Sequence, residues 1–253
     1  MRSALFASLS LSAACHAVPA TEPVTAQRPF FSTDTGTPPS GSFEIEAGVV
    51  AEIDETLLLP TTLKYGAGER TELFLGWAPF QHVELEGPDS HGTGDVTLGA
   101  KHRLVDLAAD HPGLAVQGSV KLPTGVREEG LGTGELDLLL GAAATQLFDG
   151  WSVSAYYQLD TFGEPGAGGP DVGHAVALAA ASPLHERCSL FGEVVQAWVP
   201  EQDFAPAFTT LGVAWNPCRL LVLDLACVVA LNDDVPGFQL AFGITENLGR
   251  LAE

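Results

Sequence analysis

Residues 151–160 read WSVSAYYQLD, and their character alternates at every step. The odd positions from Trp151 to Leu159 are apolar, whereas the even positions from Ser152 to Asp160 carry a hydroxyl, an amide or an acid. Successive side chains of a β-strand point to opposite faces, so a period of two residues indicates a strand with one apolar and one polar face. This segment therefore predicts a strand rather than a helix.

The same period recurs along the chain from residue 41 onward. About twelve segments show it, starting near residues 42, 56, 71, 94, 113, 134, 151, 173, 188, 207, 219 and 237. Each is close to the roughly 9–11 residues that a tilted transmembrane strand needs, and an even number brings both ends of a barrel to one side of the membrane. We predict an all-β fold, a single closed antiparallel transmembrane β-barrel of about twelve strands over residues 41–253.

Loop lengths and aromatic positions favour a barrel in an outer membrane. Connections at residues 66–70, 148–150, 184–187 and 216–219 are short, whereas those at 81–94, 124–134, 161–173 and 200–206 are longer. Short periplasmic turns and long outer loops are typical of such barrels. The residues that predict two interfacial aromatic belts are Tyr65, Trp151 and Trp215 at the periplasmic end and Trp77 and Trp198 at the outer end. Alternatively, strand-end aromatics cap the core of a soluble sandwich.

The N-terminus predicts export. Residues 1–20 place one arginine before an apolar, small-residue stretch, the pattern of a secretory signal peptide; the alternative is a disordered or helical N-terminus. Residues 21–40 are rich in Pro, Thr and Ser and predict a periplasmic lead without strands. In an oxidising compartment, Cys188 and Cys218 would lie at the periplasmic rim of neighbouring strands and could form a disulfide. The alternative is that the cysteines stay as thiols.

Charge argues against nucleic acid as a partner and predicts paired charges in the lumen. The chain has 32 acidic and 11 basic residues, a formal charge of −21, whereas phosphate binding needs a basic surface. The alternation of each strand assigns every second residue to the inner face. The charged residues among these predict a periplasmic charge layer of Glu44, Glu46, Lys64, Glu72, Lys101 and Arg103. They also predict an outer layer of Asp95, Lys121, Glu135 and Asp137. The later strands add only the inward acids Asp160, Glu193 and Asp224. These charges either stabilise the lumen by pairing or form a constriction that favours neutral or cationic solutes.

Catalytic motifs are absent from the sequence. It contains no HExxH and no GxSxG, and its histidines are scattered over loops and turns. The acid-rich stretches 86–95 and 231–237 lack the calcium-loop pattern of an EF-hand and are interpreted as solvated loops. We therefore predict no enzyme activity, no cofactor and no metal site.

Three stretches resemble a known family. They are QRPFFSTDTGTPPSGSFEIEAG (27–48), GTGDVTLGAKHRL (92–104), and KLPTG (121–125) followed by GLGTGELDLLLG (130–141). They are similar to the outer-membrane barrels grouped under a MetA pathway of phenol degradation, which are often called transporters. The chain departs from the usual outer-membrane pattern at its end, GITENLGRLAE, which lacks a terminal aromatic residue.

The resemblance implies a porin-like channel in the outer membrane of a Gram-negative bacterium. It would be embedded in outer-membrane lipid and take up small molecules passively, with aromatic or hydrophobic compounds as the implied class. The alternative is a structural or adhesive barrel with a closed lumen. The sequence leaves the oligomeric state open.

Overall fold

The structure is a computed structural model that describes residues 24–52, 56–83, 89–163, 170–235 and 237–250. The predicted signal peptide, residues 1–20, lies outside the described residues, as does most of the glycine-rich outer loop, residues 164–169. Among the described residues, no helix is both long and apolar enough to cross a bilayer.

Twelve antiparallel strands form one closed barrel in the described part of the chain, as the sequence predicted. Each strand pairs with the next, and the last pairs with the first, so that Ser42 lies opposite Arg250. The strands are β1 (Ser42–Glu52), β2 (Thr56–Leu58 and Thr61–Gly66), β3 (Thr71–Trp77 and Gln81–Val83), β4 (Ser90–Gly92 and Val96–Val105), β5 (Gly113–Leu122), β6 (Asp137–Phe148), β7 (Trp151–Phe162), β8 (Asp171–His185), β9 (Cys188–Trp198), β10 (Ala207–Cys218), β11 (Leu221–Ala230) and β12 (Phe238–Arg250). We call the end with Ser42 and Arg250 the periplasmic end and the opposite end the outer end.

The exterior of the barrel is apolar and the interior is polar. Leu140 and Leu178 point outward with 62% and 58% of their surface exposed, whereas Ser154 and Gln158 on β7 point inward and are buried. Exposed leucines on neighbouring strands are the reverse of what a soluble protein presents. The pairing of the last strand with the first closes the ring, which is how a sheet satisfies its backbone hydrogen bonds in lipid. The alternation that identified the strands therefore separates a lipid-facing surface from a lumen.

Strands β2, β3 and β4 are each interrupted toward the outer end. Pro60 and Pro79 lie at the first two interruptions, because proline has no backbone N–H to donate to a ladder. Backbone hydrogen bonds from Leu59 N to Phe80 O and from Gly94 N to Ala78 O, both 2.9 Å, keep the three strands joined across the interruptions. The wall therefore bends here without opening between these strands.

The segment before β1 lies inside the barrel. The sequence predicted a lead outside it, but the described part, residues 24–40, is hydrogen-bonded to inward side chains of β1, β2, β4, β6 and β9. Because its hydrogen-bond partners lie on five strands around the ring, the segment lies in the lumen. We call residues 24–40 the N-terminal plug.

Candidate functional site: the lumen and its N-terminal plug

The plug enters and leaves the lumen at the periplasmic end. Val24 N donates to Arg219 O in the turn between β10 and β11 at 3.1 Å. The chain rises to Phe31 and Ser32 and then descends to Pro39, whose carbonyl accepts hydrogen bonds from the backbone and hydroxyl of Ser42. The plug is therefore a loop with its tip near the middle of the lumen.

The rising arm is fixed by acids on β1. Thr25 donates its backbone N–H (3.1 Å) and its hydroxyl (2.7 Å) to the Glu44 carboxylate, and Gln27 N donates to Glu46 at 2.7 Å. Lys64 on β2 contacts Glu46 at 2.6 Å and donates to Thr25 O at 2.7 Å. One buried lysine thus compensates part of the charge of this acidic pair and also binds the plug.

The tip of the plug binds a single acid on the opposite wall. The Glu193 carboxylate on β9 accepts hydrogen bonds from Phe31 N (2.8 Å), Ser32 N (2.9 Å) and the Ser32 hydroxyl. Glu193 is only 2% exposed, and a buried carboxylate must be compensated by donors or by a cation. The plug supplies three donors, so Glu193 and the tip are complementary.

The descending arm is held by a lysine and a threonine of the wall. Lys101 on β4 donates to the Thr33 hydroxyl at 3.0 Å, and Thr35 N donates to the Thr145 hydroxyl on β6 at 3.3 Å. Asp34 accepts a hydrogen bond from Gly36 N at 2.8 Å, which turns the chain back toward the periplasmic end. The wall therefore holds the plug along its whole length.

Arg28 of the plug occupies a slot between β1 and β12. Gly48 and Gly243 face each other across these strands, and a Cβ atom on either would collide with the guanidinium. Arg28 Nε lies 4.0 Å from the Asp224 carboxylate on β11. Both oxygens of Asp224 are buried and accept no hydrogen bond from the described residues. Arg28 and Asp224 are thus close enough to attract each other but are not joined by a hydrogen bond.

The predicted periplasmic charge layer is divided into separate groups. Glu72 pairs with Lys101 at 3.5 Å, beside the group that Lys64 forms with Glu44 and Glu46. Arg103 instead contacts Asp106 at 3.0 Å and donates to Glu69 O at 2.6 Å. Arg103 therefore belongs to the periplasmic mouth rather than to a lumen ion pair.

The predicted outer layer centres on Lys121. It contacts Asp137 on β6 and lies 3.9 Å from Asp95. Asp95 also accepts hydrogen bonds from Gly125 N (2.8 Å) and Thr133 N (3.0 Å), so it anchors the outer loop between β5 and β6. Glu135 precedes β6 and lies against Gly163. The structure therefore brings three of the four predicted residues together.

Three cavities lie around the plug in the described part of the chain. On the outer side, a polar cavity of about 480 Å³ borders Glu72, Thr97 and Ser119. A second outer cavity of about 480 Å³ borders mostly apolar residues. A third cavity of about 260 Å³ lies against Ser152 and Ala181, toward the periplasmic end. The plug tip forms part of the lining of all three, because Phe30 borders each of them.

The aromatic residues of the predicted belts differ in their surroundings. Trp151 and Trp215 are 48% and 49% exposed near the periplasmic end, and Tyr65 packs against the Phe43 ring there at a centroid distance of 4.7 Å. Toward the outer end, Trp198 stacks on His174 at 5.2 Å. Trp77 borders the polar cavity.

Cys188 and Cys218 are not joined in the structure. The ladder places Cys188 opposite Trp215 and Cys218 opposite Leu221, with a register shift between Trp215 and Cys218. Cys218 lies three residues beyond Trp215 along β10, so the two thiols are not in facing positions.

Sequence reasoning missed the residues of the plug itself. It placed Glu193 and Asp224 on the inner face without a basic partner, and this imbalance was the available signal that another segment must supply one. Among the described residues, no cluster of three or more His, Cys, Asp or Glu side chains is arranged to hold a metal ion.

Comparison with known proteins agrees with the barrel. The chain is similar to the COG4313 outer membrane channel from Pseudomonas putida F1 (16% identity, 87% of this chain and 100% of that one, TM-score 0.66). It is also similar to the NanC porin (6% identity, 83% and 100%, TM-score 0.57) and to the translocator domain of the autotransporter NalP from Neisseria meningitidis (13% identity, 84% and 90%, TM-score 0.50). A search of curated proteins finds no match.

A family profile matches residues 26–181, more than half of the 253-residue chain. The match begins inside the plug and ends in β8, so it includes the Arg28 slot at Gly48 and the lumen acids of β1 and β3. The chain therefore belongs to the family described as "Putative MetA-pathway of phenol degradation", and it has the fold of an outer-membrane β-barrel.

Proposed function

We propose that the protein is an outer-membrane channel for the passive passage of small solutes, and that its N-terminal plug restricts the lumen. The observation that carries this proposal is the way the lumen is filled. Small barrels without a channel fill their interior with packed side chains. This barrel instead contains a separate loop, held by hydrogen bonds, with polar and apolar cavities beside it.

The bonds that hold the plug are of a kind that water can replace. Glu44, Glu46 and Glu193 accept hydrogen bonds from the plug backbone, and each carboxylate would be hydrated if the plug moved. Because hydration of the carboxylates would replace these bonds, the net free energy of each is about 1.5–3 kcal/mol, less than the energy of the bond itself. Beside the tip, the rings of Phe30 and Phe191 lie edge-to-face with their centroids 5.0 Å apart. These features support a plug that can shift without unfolding the barrel.

The charge of the lumen supports passage of neutral and cationic solutes. Lys64, Lys101 and Lys121 each pair with at least one acid, whereas Glu193 is compensated only by hydrogen bonds among the described residues. An acidic lumen raises the local concentration of cations and repels anions. We propose no catalytic role, because the arrangement offers a restricted passage.

A structural or adhesive barrel is the second candidate. One observation favours it: Lys64 and Glu44 are completely buried once the plug is in place, as in a permanently closed lumen. In that case the purified protein would not conduct.

Single-channel recording in planar bilayers distinguishes the two functions. Thr35→Cys combined with Thr145→Cys introduces two thiols where the plug meets β6, since Thr35 N lies 3.3 Å from the Thr145 hydroxyl. Cys188, Cys218 and Cys227 are replaced by Ser in this background, and Thr35→Cys alone is the control. We expect discrete conductance steps for the wild type and the reduced double variant, and smaller or rarer steps after oxidation.

The possible results distinguish two questions: whether the barrel conducts, and whether the plug restricts its lumen. A silent wild type and a silent reduced variant would favour the closed structural barrel. Equal conductance before and after oxidation, with the disulfide verified by mass spectrometry, would leave a channel but reject the plug as its restriction.

A further inference from the structure

The rising arm of the plug lies along the pair of strands that closes the barrel. Among the described strands, every other pair joins neighbours that are consecutive in the chain, whereas β1 and β12 come from its two ends. A contact between distant parts of a chain must overcome a larger loss of chain entropy than a hairpin does. The closing pair, β1 with β12, therefore benefits most from an additional link.

Successive residues of the rising arm follow the inner face of the closing pair. Glu44 on β1 lies opposite Asn247 on β12, and its carboxylate accepts hydrogen bonds from both Thr25 and Asn247. At the next inward position of β1, Glu46 accepts a hydrogen bond from Gln27 N. The arm thus runs along the line where the first and last strands meet.

The next inward positions on both strands are glycines. Gly48 and Gly243 face each other, and no other position in the ladders of the described strands pairs two glycines. A glycine weakens a strand because it is entropically costly and packs no side chain, and it often marks the close approach of another group. Here that group is the Arg28 guanidinium, which a Cβ atom on either glycine would meet. The closing pair is therefore weakest where Arg28 enters it.

Arg28 bridges three neighbouring strands at this level. Asp224 on β11 lies opposite Gly243, so Gly48, Gly243 and Asp224 form one row across β1, β12 and β11. Arg28 Nη2 donates to Phe242 O on β12 at 3.4 Å, and its Nε lies 4.0 Å from the Asp224 carboxylate. The Asp224 side chain is only 1% exposed, so salt screens this attraction little. The arginine thus attaches the N-terminal segment to the last two strands.

We propose that the rising arm has a second function, which is to hold the barrel closed between β1 and β12, with Arg28 as the positioning residue. The arm is continuous with β1, so each contact that it makes with the C-terminal strands joins the two ends of the barrel. Val24 adds one such contact, from its N–H to Arg219 O at 3.1 Å. This function does not depend on conduction. It divides the plug into a tip, held by Glu193, that restricts the lumen and a rising arm that stays on the closing pair.

Hydrogen–deuterium exchange with mass spectrometry tests this function in the folded protein in nanodiscs, because exchange reports the local opening of individual strands. Arg28→Ala is combined with Asp224→Ala, so that no buried acid is left without its cation. We expect the backbone amides of β1 and β12 to exchange roughly tenfold faster, as for the loss of one charge-assisted hydrogen bond. The amides of β6 and β7 should exchange at the wild-type rate.

Lys101→Met is the matched control. Lys101 is another buried base that binds the plug, through the Thr33 hydroxyl, but it lies on β4 and pairs with Glu72 on β3. Its replacement should therefore accelerate exchange in β3 and β4 rather than in β1 and β12.

Gly243→Ala distinguishes an occupied slot from a weak strand. Its methyl group would lie where the Arg28 and Asp224 side chains are, so in the wild type it should accelerate exchange of β1 and β12. In the Arg28→Ala/Asp224→Ala background that space is free. There, alanine should slow the exchange, because it loses less conformational entropy than glycine. Heat-modifiable migration verifies that each variant is folded.

Three results would overturn the proposal. The first is wild-type exchange of β1 and β12 in Arg28→Ala/Asp224→Ala, and the second is equal acceleration of all strands, which is general destabilisation. The third is a Gly243→Ala effect of the same sign in both backgrounds. The expected pattern in a protein that never conducts would support closure by the rising arm and reject the channel.

Discussion

Replacing Glu193 with Gln should release the plug tip without changing the size of the side chain. The carboxylate accepts hydrogen bonds from Phe31 N, Ser32 N and the Ser32 hydroxyl. A glutamine has one carbonyl oxygen for these donors, and its amide group is itself a donor. At least one of the three contacts is therefore lost, and the others lose their charge assistance.

The size of the effect follows from these three bonds. Hydrogen bonds to a charged group contribute about 1.5–3 kcal/mol each, against about 0.5–1.5 kcal/mol for neutral pairs. The loss is about 1 kcal/mol per bond, or roughly 3 kcal/mol in total. An amide is easier to bury than a carboxylate, which offsets part of this loss. Because about 1.4 kcal/mol corresponds to a factor of ten, we expect the plug to leave its site roughly ten to a hundred times more often.

Cysteine accessibility measures this equilibrium. Thr37 in the descending arm is 7% exposed, and its hydroxyl makes no hydrogen bond to the described residues, so Thr37→Cys is a mild reporter. In a background without other cysteines, a membrane-impermeant maleimide should label it faster when Glu193→Gln is added. Asp137→Asn is the control, because it removes an inward acid that contacts Lys121 rather than the plug. Equal labelling rates for the two variants would refute the role of Glu193 in holding the plug.

Three further predictions concern the wall. Lys64→Met should lower the free energy of unfolding by about 3–5 kcal/mol, because it leaves buried acids unpaired. Arg70→Gln, at an exposed ion pair, should lower it by less than about 1 kcal/mol. The two variants are compared by following gel mobility in a urea titration. Lys121→Gln should raise the cation preference of the pore, measured as a reversal potential, and an unchanged potential would exclude Lys121 from the conducting path. Leu140→Arg on the lipid face should destabilise the barrel by about 2–4 kcal/mol, and an effect no larger than that of Leu139→Gln would contradict the membrane-facing assignment.

The fold could be predicted because its determinant is local. Closing a barrel in lipid requires every strand to alternate, and WSVSAYYQLD (151–160) displays that requirement within ten residues. The barrel and its twelve strands are confirmed, and so is the family resemblance. The interruption of β4 before Val96 was harder to foresee, because Asp95 fits the alternating pattern even though it binds the loop between β5 and β6.

The plug could not be predicted from periodicity. Residues 24–40 have no repeating pattern because their backbone bonds to side chains of the wall rather than to a neighbouring strand. What the sequence did contain was an excess of inward acids over inward bases on the later strands. For Glu193, the missing partners are two backbone N–H groups and a hydroxyl, which no count of charged residues can reveal.

The same few residues both restrict the lumen and border its outer cavities. Phe31 fixes the plug through its backbone and lines the polar and the apolar cavity with its ring. Arg28 also borders both cavities and lies near Asp224. A solute that moves inward from either cavity therefore meets the segment that must shift before it can pass. Loss of the Glu193 contacts should favour that shift, because these contacts hold the tip of the segment in place.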